Sequence, residues 1–251
     1  MPHEVRTKTR LVRDIKSHYC GAIIPSMQVF GGSKQLCFAV CRQFKNPEQQ
    51  PDRYRVVFIG GTNSDHRLQK SEGLFSTVRR EGREEGGVDI LSSKAVYWQF
   101  LPARSVLPGD DDHLKCFSIV RKCIGVESIP LTFDGIERIT EFSGEQITRP
   151  VWQPITMLYE GHERNQLFQN HMVAGVMALW HLMCRNPVVW ESYREFMRRR
   201  QHMLRNVLGS DDRLEDLYRV GKKRALAQME AEERYLERKK QASVSAVCGF
   251  V

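Results

Sequence analysis

The sequence of 251 residues predicts an α/β fold followed by an α-helical extension. Short β-rich runs, bounded by glycine, proline and polar turns, dominate the first half of the chain. Segments with apolar residues at helical spacing interrupt and follow these runs. After Pro187 the sequence becomes densely charged, and its apolar residues lie on one side of predicted helices. The composition, 41% hydrophobic and 27% charged, is ordinary for a globular protein.

We divide the chain into a basic N-terminal arm (1–20), a main domain (21–186) and a charged amphipathic helical extension (187–251). The arm is either the remnant of a mitochondrial presequence or simply solvated. Glu4 and Asp14 count against a presequence, because presequences are poor in acids. No apolar run approaches the ~20 residues that a membrane span needs, so we expect no membrane association.

Cysteine usage and charge restrict the compartment and the partners. The seven cysteines are scattered and include no C-x-x-C pair. This spacing predicts free thiols in a reducing compartment, the cytoplasm or the mitochondrial matrix, rather than a secreted protein or a zinc site. The net charge of +8 suits an anionic partner such as a nucleotide, RNA or an acidic protein. A mildly basic protein without such a partner would give the same charge.

The β-rich runs predict a hairpin and three further strands. Residues 21–44 contain two apolar runs around "GGSK", which is typical of a β-hairpin. Residues 53–61 form a short β-rich run that ends at two glycines. Residues 94–103 and 114–126 also read as strands. We expect an irregular segment from there to about Pro150.

Residues 71–85 read as a helix, with Ser71 as its N-cap. Gly86 and Gly87 give a plausible C-terminal stop, because glycine adopts the left-handed conformation cheaply. The inward face of this helix is predicted from residues at helical spacing: Phe75, Val78 and Gly82.

A second helix is predicted over 165–184, and two amphipathic helices after Pro187. The apolar side of the first of these two comprises Val189, Tyr193, Phe196, Met197, Leu204 and Leu208.

The stretch "REGREEGGV" (80–88) gathers carboxylates in a basic protein. Glu81, Glu84 and Glu85 stand at i, i+3 and i+4, where helical side chains are close and like charges repel. One compensation is an ordinary solvated face with Arg79, Arg80 and Arg83. The other is a hard divalent cation such as Mg²⁺, which prefers carboxylate oxygens.

The context of these acids resembles the Nudix hydrolase signature, G-x5-E-x7-R-E-U-x-E-E-x-G-U, where U is aliphatic. Residues 61–88 carry the resemblance, and "FIGG" stands where the family usually has "PGG". The charged and glycine positions that match at the family's spacing are Glu72, Arg80, Glu81, Glu84, Glu85 and Gly87, followed by Val88.

This resemblance implies a Nudix-type α/β/α sandwich with a mixed β-sheet. It also implies Mg²⁺- or Mn²⁺-dependent attack of water on the pyrophosphate of a nucleoside diphosphate linked to another group. By the same resemblance Glu81, Glu84 and Glu85 would bind the metal, and the backbone at Gly61 would face it. Arg80 would pair with Glu72 to brace the loop.

Two positions depart from the signature. Ten residues rather than five separate Gly61 from Glu72, which we interpret as an insertion. His66 within this loop either contacts a phosphate or is merely solvated. Gly82 stands where the family has an aliphatic residue, and we expect Trp98 or Phe100 to fill the space beside it.

The general base is less well determined by the sequence. Glu84, Glu85 or an acid from a later loop would deprotonate the attacking water, and Glu127 is the best-placed later acid. Its rivals are Asp110, Asp111, Asp112, Glu141 and Glu145, each of which is otherwise a solvated loop acid. Trp98, Phe100 and Trp152 would either stack on a base or pack in the core.

The sequence therefore predicts a Nudix pyrophosphohydrolase that acts on a nucleotide derivative or on the 5′ end of RNA, cap or triphosphate. Positive charge favours RNA, because phosphate contacts dominate nucleic-acid affinity. Arg198, Arg199, Arg200, Lys222 and Lys223 would follow the RNA backbone, or their helices would bind a protein partner. The alternative is a weak or inactive Nudix-fold subunit, with a structural or RNA-binding role in a ribonucleoprotein assembly. Such subunits typically lose the glutamates, which are retained here.

Overall fold

The computed structural model describes residues 17–62, 64–65, 70–71, 73–101, 113–140, 144–160, 167 and 169–200. The chain forms two compact units, Met1–Gly175 and Val176–Val251. All of the described strands lie in the first unit. None of the described helices is long and apolar enough to span a membrane.

The first sheet of the N-terminal unit has four strands. They are β1 (Ser17–Ile23), β5 (Ile59–Thr62), β8 (Asp89–Leu101) and β9 (His113–Ile124), in the order β5-β1-β9-β8. Strands β1 and β9 are parallel, with Cys20 opposite Cys116, while the other pairs are antiparallel. The predicted mixed α/β class is therefore confirmed.

The second sheet is built around the long strand β3 (Ser33–Phe44). The strands that pair with one another or with β3 are β2 (Pro25–Phe30), β4 (Arg55–Val57), β10 (Arg138–Thr140), β11 (Gln146–Thr148) and β12 (Val151–Pro154). A short pair, β6 (Ser64–Asp65) and β7 (Lys70–Ser71), completes the strands of the described segments. The predicted run over 53–61 is divided between β4 and β5, and β10 and β11 correct the expectation of an irregular segment up to about Pro150.

The predicted hairpin within 21–44 is confirmed. Strands β2 and β3 pair antiparallel from Pro25↔Phe38 to Phe30↔Ser33. Gly31 and Gly32 form the turn with φ of 54° and 79°. Positive φ at both central positions is what a tight hairpin turn requires, and glycine adopts it at no steric cost.

Four α-helices and one 3₁₀ turn lie in the described residues. They are α1 (Leu74–Glu84), the 3₁₀ turn (Val126–Ser128), α2 (Ile155–Glu160), α3 (Gln169–Met183) and α4 (Pro187–Arg198). Helix α4 begins at Pro187, and the Asn186 side chain accepts hydrogen bonds from the amides of Val188 (3.0 Å) and Val189 (3.3 Å). Its predicted apolar face is confirmed as far as Met197. Leu204 and Leu208 lie outside the described residues.

Helix α1 differs from the prediction at its N-terminus. Its N-cap is Gly73, without a side-chain cap, and Ser71 belongs to β7 instead. Phe75 is 44% exposed, so its predicted inward orientation is wrong. The buried face consists of Thr77, Val78, Glu81 and Gly82, and at the far end Gly87 adopts a φ of 64° that stops the helix as predicted.

The core of the N-terminal unit is apolar and includes four buried cysteines, Cys20, Cys37, Cys41 and Cys116. The described cysteines are free thiols. Burial raises the pKa of both the Cys37 and the Cys116 thiol to about 11, so these two groups are inert. Trp152, 2% exposed, packs in this core and is not presented for stacking on a base.

The space beside Gly82 is filled by Ile90 at the start of β8. A Cβ placed on Gly82 would lie 2.8 Å from Ile90 Cδ1 and 3.3 Å from the Val88 carbonyl oxygen. The side chains of Trp98 and Phe100, expected in this role, lie outside the described part. Glycine at this position therefore lets α1 approach β8 closely, and its loss of helix propensity is offset by the packing of Ile90.

We predict that Gly82→Leu lowers the free energy of unfolding by about 1–3 kcal/mol, because the new side chain overpacks against Ile90. Ile90→Ala alone should cost about 2–5 kcal/mol. The double variant should cost clearly less than the sum, as measured by urea unfolding in a double-mutant cycle. Gly73→Leu, where a Cβ meets no atom within 4 Å, is the control. Additive costs would contradict this packing.

Candidate active site around the acidic helix

The predicted acids occupy the C-terminal half of α1, which packs against β1, β5 and β8. Glu81 and Glu85 are buried, each 7% exposed, whereas Glu84 is exposed. Burial of two carboxylates on one helix is costly unless hydrogen bonds or cations compensate their charge. The surroundings of each carboxylate therefore decide what this helix can do.

The glycine pair at the end of the run "FIGG" lies directly against the carboxylates of Glu85 and Glu81. The amide of Gly60 donates a hydrogen bond of 2.9 Å to Glu85 Oε2. A Cβ on Gly60 would collide with the Cys20 carbonyl oxygen of β1, and a Cβ on Gly61 would overlap the Glu81 carboxylate. Gly60 is therefore restricted to glycine by backbone, whereas a side chain at Gly61 would displace the Glu81 carboxylate.

Arg80 joins two of the acids to β5. Its Nη1 lies 2.8 Å from Glu81 Oε1 and 2.9 Å from Glu84 Oε2. Its Nη2 donates to the Thr62 carbonyl oxygen at 2.8 Å. Its predicted partner Glu72 lies outside the described residues, so that pairing stays a prediction.

The same contacts show how well the acids fit a divalent cation. One cationic nitrogen touches the carboxylates of both Glu81 and Glu84, so the two side chains converge on a common position. All the candidate donors are carboxylate or carbonyl oxygens, which suit Mg²⁺ or Mn²⁺. Among the described residues, no three His, Cys, Asp or Glu side chains are already arranged as a metal site. Glu81 and Glu84, together with Glu85, are the side chains that would hold such an ion.

Arg149, which was not predicted from the sequence, holds the C-terminus of α1. Its Nη1 donates to the carbonyl oxygens of Glu84 (2.9 Å) and Glu85 (3.2 Å). These carbonyls belong to the last turn, where a helix carries partial negative charge and has no internal donors. Because Arg149 comes from the loop between β11 and β12, no local pattern near the acids reveals it.

The candidate general bases lie in different settings. Glu127 is exposed on the 3₁₀ turn, and a Cβ on the preceding Gly125 would lie 3.2 Å from the Gly87 carbonyl oxygen. This turn is therefore adjacent to the end of the Nudix-like segment. Glu145 accepts a hydrogen bond of 2.7 Å from Gln43 and lies 3.9 Å from Lys45. Asp110, Asp111, Asp112, Glu141 and His66 lie outside the described residues.

A cavity of about 110 Å³ lies next to Glu85 and Gly60. Its other polar lining residues come from β1, β3, the residue after β3, β4, β9 and α3, and comprise Tyr19, Gln43, Lys45, Arg55, Lys115, Asn170 and His171. None of these residues was predicted from the sequence. Lys115 lies beside the apolar run of β9, and a charged residue at that position is a signal that could have been followed.

His171 is fixed as a neutral ring at the back of this cavity. Its Nδ1 accepts a hydrogen bond of 2.8 Å from the Phe58 amide, and its Nε2 lies 3.4 Å from Tyr19 Oη. The Phe117 ring packs edge-on against the His171 ring, with the two ring centroids 4.8 Å apart. Burial, together with the charge of Lys115, lowers the pKa of His171 to about 3. Burial also raises the pKa of Tyr19 well above its usual value, with further contributions from Glu85 and Glu81.

The residues proposed for RNA contact differ in their surroundings. Arg198 forms a bidentate ion pair with Glu195, at 2.9 Å for both contacts, and Arg199 lies 3.8 Å from the same carboxylate. Arg200 is buried, with its guanidinium 3.8 Å from the Phe196 ring centre. Lys222 and Lys223 lie outside the described part of the chain.

Comparison with known proteins gives distant structural similarities. No protein-family model and no curated protein matches the sequence. A Nudix hydrolase from Nitrosomonas europaea is similar at 13% identity with a TM-score of 0.41, covering 64% of this chain and 87% of that one. NrtR from Shewanella oneidensis is similar at 11% identity with a TM-score of 0.39, covering 69% and 68%. Its Nudix domain, solved with ADP ribose, gives 13% identity and a TM-score of 0.35, covering 62% and 88%.

Similarity at this level does not by itself assign a family or an activity to the chain. The chemistry of the protein is indicated instead by the geometry of its acids and of the cavity beside them.

We predict that the neutral state of His171 makes stability depend on pH. Between about pH 6.5 and 3 the unfolded chain binds a proton at this histidine that the folded chain does not. The free energy of unfolding should therefore fall by up to about 1.4 kcal/mol per pH unit as the pH drops through this window. His171→Asn, whose amide oxygen can accept from the Phe58 amide, should remove this component. Parallel curves for the two proteins, from urea unfolding at each pH, would contradict the assignment.

We further predict that Arg149→Ala lowers the free energy of unfolding by about 1 kcal/mol, since two charged hydrogen bonds at a partly exposed helix end are lost. Amide hydrogen exchange at Glu85 and Gly86, whose amides bond to the Glu81 carbonyl, should become faster. Arg121→Ala, an exposed arginine on β9, is the matched control. Equal exchange rates in the two variants would show that Arg149 does not stabilise this turn.

Proposed function

We propose that the chain is a Mg²⁺- or Mn²⁺-dependent hydrolase of the Nudix type, which cleaves the pyrophosphate of a nucleoside-diphosphate-linked substrate. The observation that supports this most is the convergence of Glu81 and Glu84 on one cationic nitrogen, with Glu85 held beside them by the Gly60 amide. A cluster of acids with this geometry suits a Mg²⁺ or Mn²⁺ ion that also binds the phosphates of the substrate.

The division of labour among the side chains follows from their settings. Glu81, Glu84 and Glu85, with the backbone at Gly61, would hold the ion. When bound, the ion would offset the charge of the diphosphate and acidify the attacking water. Glu85 or Glu84, or Glu127 from the neighbouring turn, would accept the proton of that water. Arg80, which contacts Glu81, Glu84 and the Thr62 carbonyl oxygen, would brace the acids.

The reaction is a simple hydrolysis. A new P–O bond forms to the water oxygen, and the P–O bond to the bridging oxygen breaks. The bridging oxygen leaves with the electron pair on the other phosphate, and the proton of the water passes to the carboxylate and then to solvent. No oxidant or further reactant is needed.

The partners proposed from the sequence remain part of this proposal. The substrate is a nucleotide derivative or the 5′ end of RNA, and the helices after Pro187 are the candidate surface for RNA or for a protein partner. If the wild-type chain shows no turnover on any substrate, the alternative role as a structural or RNA-binding subunit of a ribonucleoprotein assembly takes its place.

We predict that Glu84→Gln and Glu85→Gln each reduce kcat by more than about 100-fold, because even the loss of residues that only orient metal ligands costs about 10–100-fold. Phosphate release should be measured with Mg²⁺ or Mn²⁺ on a panel of nucleotides, ADP-ribose and triphosphorylated RNA. Mn²⁺ binding, measured by calorimetry, should weaken in the same variants.

The control is Glu48→Gln, an exposed glutamate in the loop after β3. It removes the same charge from the same unit and should leave both turnover and Mn²⁺ binding unchanged. If both helix variants keep wild-type turnover, the metal-ligand assignment is wrong. Loss of turnover in Glu127→Gln, with Mn²⁺ affinity retained, would identify Glu127 as the base.

A further inference from the structure

The cavity next to Glu85 carries an excess of positive charge. Lys45 follows β3, Arg55 lies in β4 and Lys115 lies in β9, so three cations from separate parts of the chain reach one small space. Among the lining residues that the structure describes, these three cations stand beside one carboxylate, that of Glu85. His171 adds no charge because its pKa is about 3.

One acid outside the described lining residues offsets part of this charge. Glu145 lies 3.9 Å from Lys45 and accepts a hydrogen bond from Gln43. Lys115 is half-buried in β9, and burial lowers its pKa. A bound dianion would add negative charge beside this ammonium.

The size of the cavity limits what it can hold. Its volume is about 110 Å³, whereas a cavity of about 150 Å³ accommodates benzene and pockets for drug-sized ligands span roughly 300–1,000 Å³. A tetrahedral phosphoryl group is of a size that suits this space, and the polar residues Asn170, Gln43 and Tyr19 line it together with the cations.

We propose that this cavity binds the terminal phosphoryl group of a 5′-polyphosphate chain, with Lys115 and Arg55 as its principal contacts. This inference rests on the proposed function, because Glu85 lines the cavity and belongs to the acids that would hold the ion. The anhydride to be cleaved then lies at the acids, the distal phosphate lies in the cavity, and the nucleoside lies outside. The substrate class is therefore a nucleoside or RNA 5′-triphosphate rather than a nucleotide sugar or ADP-ribose, whose distal group is larger and neutral.

The direct test is binding of inorganic triphosphate by calorimetry, in EDTA and in the absence of turnover. Lys115→Gln and Arg55→Gln should each weaken binding about tenfold or more, and binding to the wild-type chain should fall with added salt. Lys122→Gln on the same strand and Arg53→Gln near β4 are exposed and do not line the cavity, so they should bind as the wild type does. If both cavity variants bind as tightly as their controls, the proposal is overturned.

A loss of folding at Lys115 would leave the test with Arg55, which is exposed at the cavity, and melting temperatures identify that case. Hydrolysis assays then distinguish a nucleoside triphosphate from an RNA 5′-triphosphate as the substrate. ATP and a 5′-triphosphorylated RNA oligomer are compared in Mn²⁺, and preference for either supports the shared chemistry. Faster cleavage of ADP-ribose than of both would refute the substrate class.

The two proposals fail separately. If the wild-type chain hydrolyses nucleotides but Lys115→Gln and Arg55→Gln bind triphosphate normally, the hydrolase stands and the phosphate cavity is wrong. If the wild-type chain binds triphosphate through Lys115 and Arg55 but hydrolyses nothing, the cavity stands and the proposed hydrolase is wrong.

Discussion

The compensation of negative charge at the C-terminal end of α1 is the constraint on which the site depends. Glu81, Glu84 and Glu85 lie in the last turns of this helix, where the macrodipole is itself negative. The mutual repulsion of the three acids and the burial of Glu81 and Glu85 raise the cost of this negative charge further. Three groups compensate this negative charge. Arg80 lies between Glu81 and Glu84, the Gly60 amide donates to Glu85, and Arg149 donates to the carbonyl oxygens of the final turn. A divalent cation would extend a pattern of compensation that the fold already supplies.

The other arginines of α1 fix its opposite side. Arg79 Nε and Arg83 Nη2 each lie 3.0 Å from Asp89 Oδ1, at the start of β8. The hydrogen bond from Arg79 is the main reason that the pKa of Asp89 lies below its usual value. These pairs are partly exposed, so each contributes little to stability. Their effect is orientational, since they fix the rotation of α1 and so direct its acids toward β5 and the cavity.

Local patterns could predict only part of this arrangement. The hairpin turn at Gly31 and Gly32 and the stop at Gly87 follow from backbone sterics within a few residues, so the sequence reveals them. The acids of α1 are likewise visible, because their spacing is helical. Ser71 was predicted to cap α1, but it pairs with Ser64 in a short two-stranded sheet. The helix starts three residues later, at Leu74, and its N-cap is Gly73. The predicted burial of Phe75 was wrong because helical spacing shows which side chains share a face but not how far neighbouring elements cover that face.

The remaining site residues depend on contacts between distant segments. Arg149 reaches the Glu84 carbonyl from 65 residues away, and Lys115 and Arg55 share a cavity although they belong to different sheets. Helical or strand periodicity in the sequence cannot predict such contacts between distant segments. The same holds for Gly82, whose departure from the family pattern is explained only by the position of Ile90 against it.

Hydrogen-bond direction links the buried histidine to the chemistry of the cavity. Because the Phe58 amide donates to His171 Nδ1, the proton of the neutral ring resides on Nε2. That nitrogen faces Tyr19 Oη, so the histidine donates and the tyrosine oxygen accepts. The hydroxyl proton of Tyr19 is then directed to another acceptor, and the cavity that Tyr19 lines contains Glu85. A backbone amide of the core thus decides which of two side chains at the site donates and which accepts.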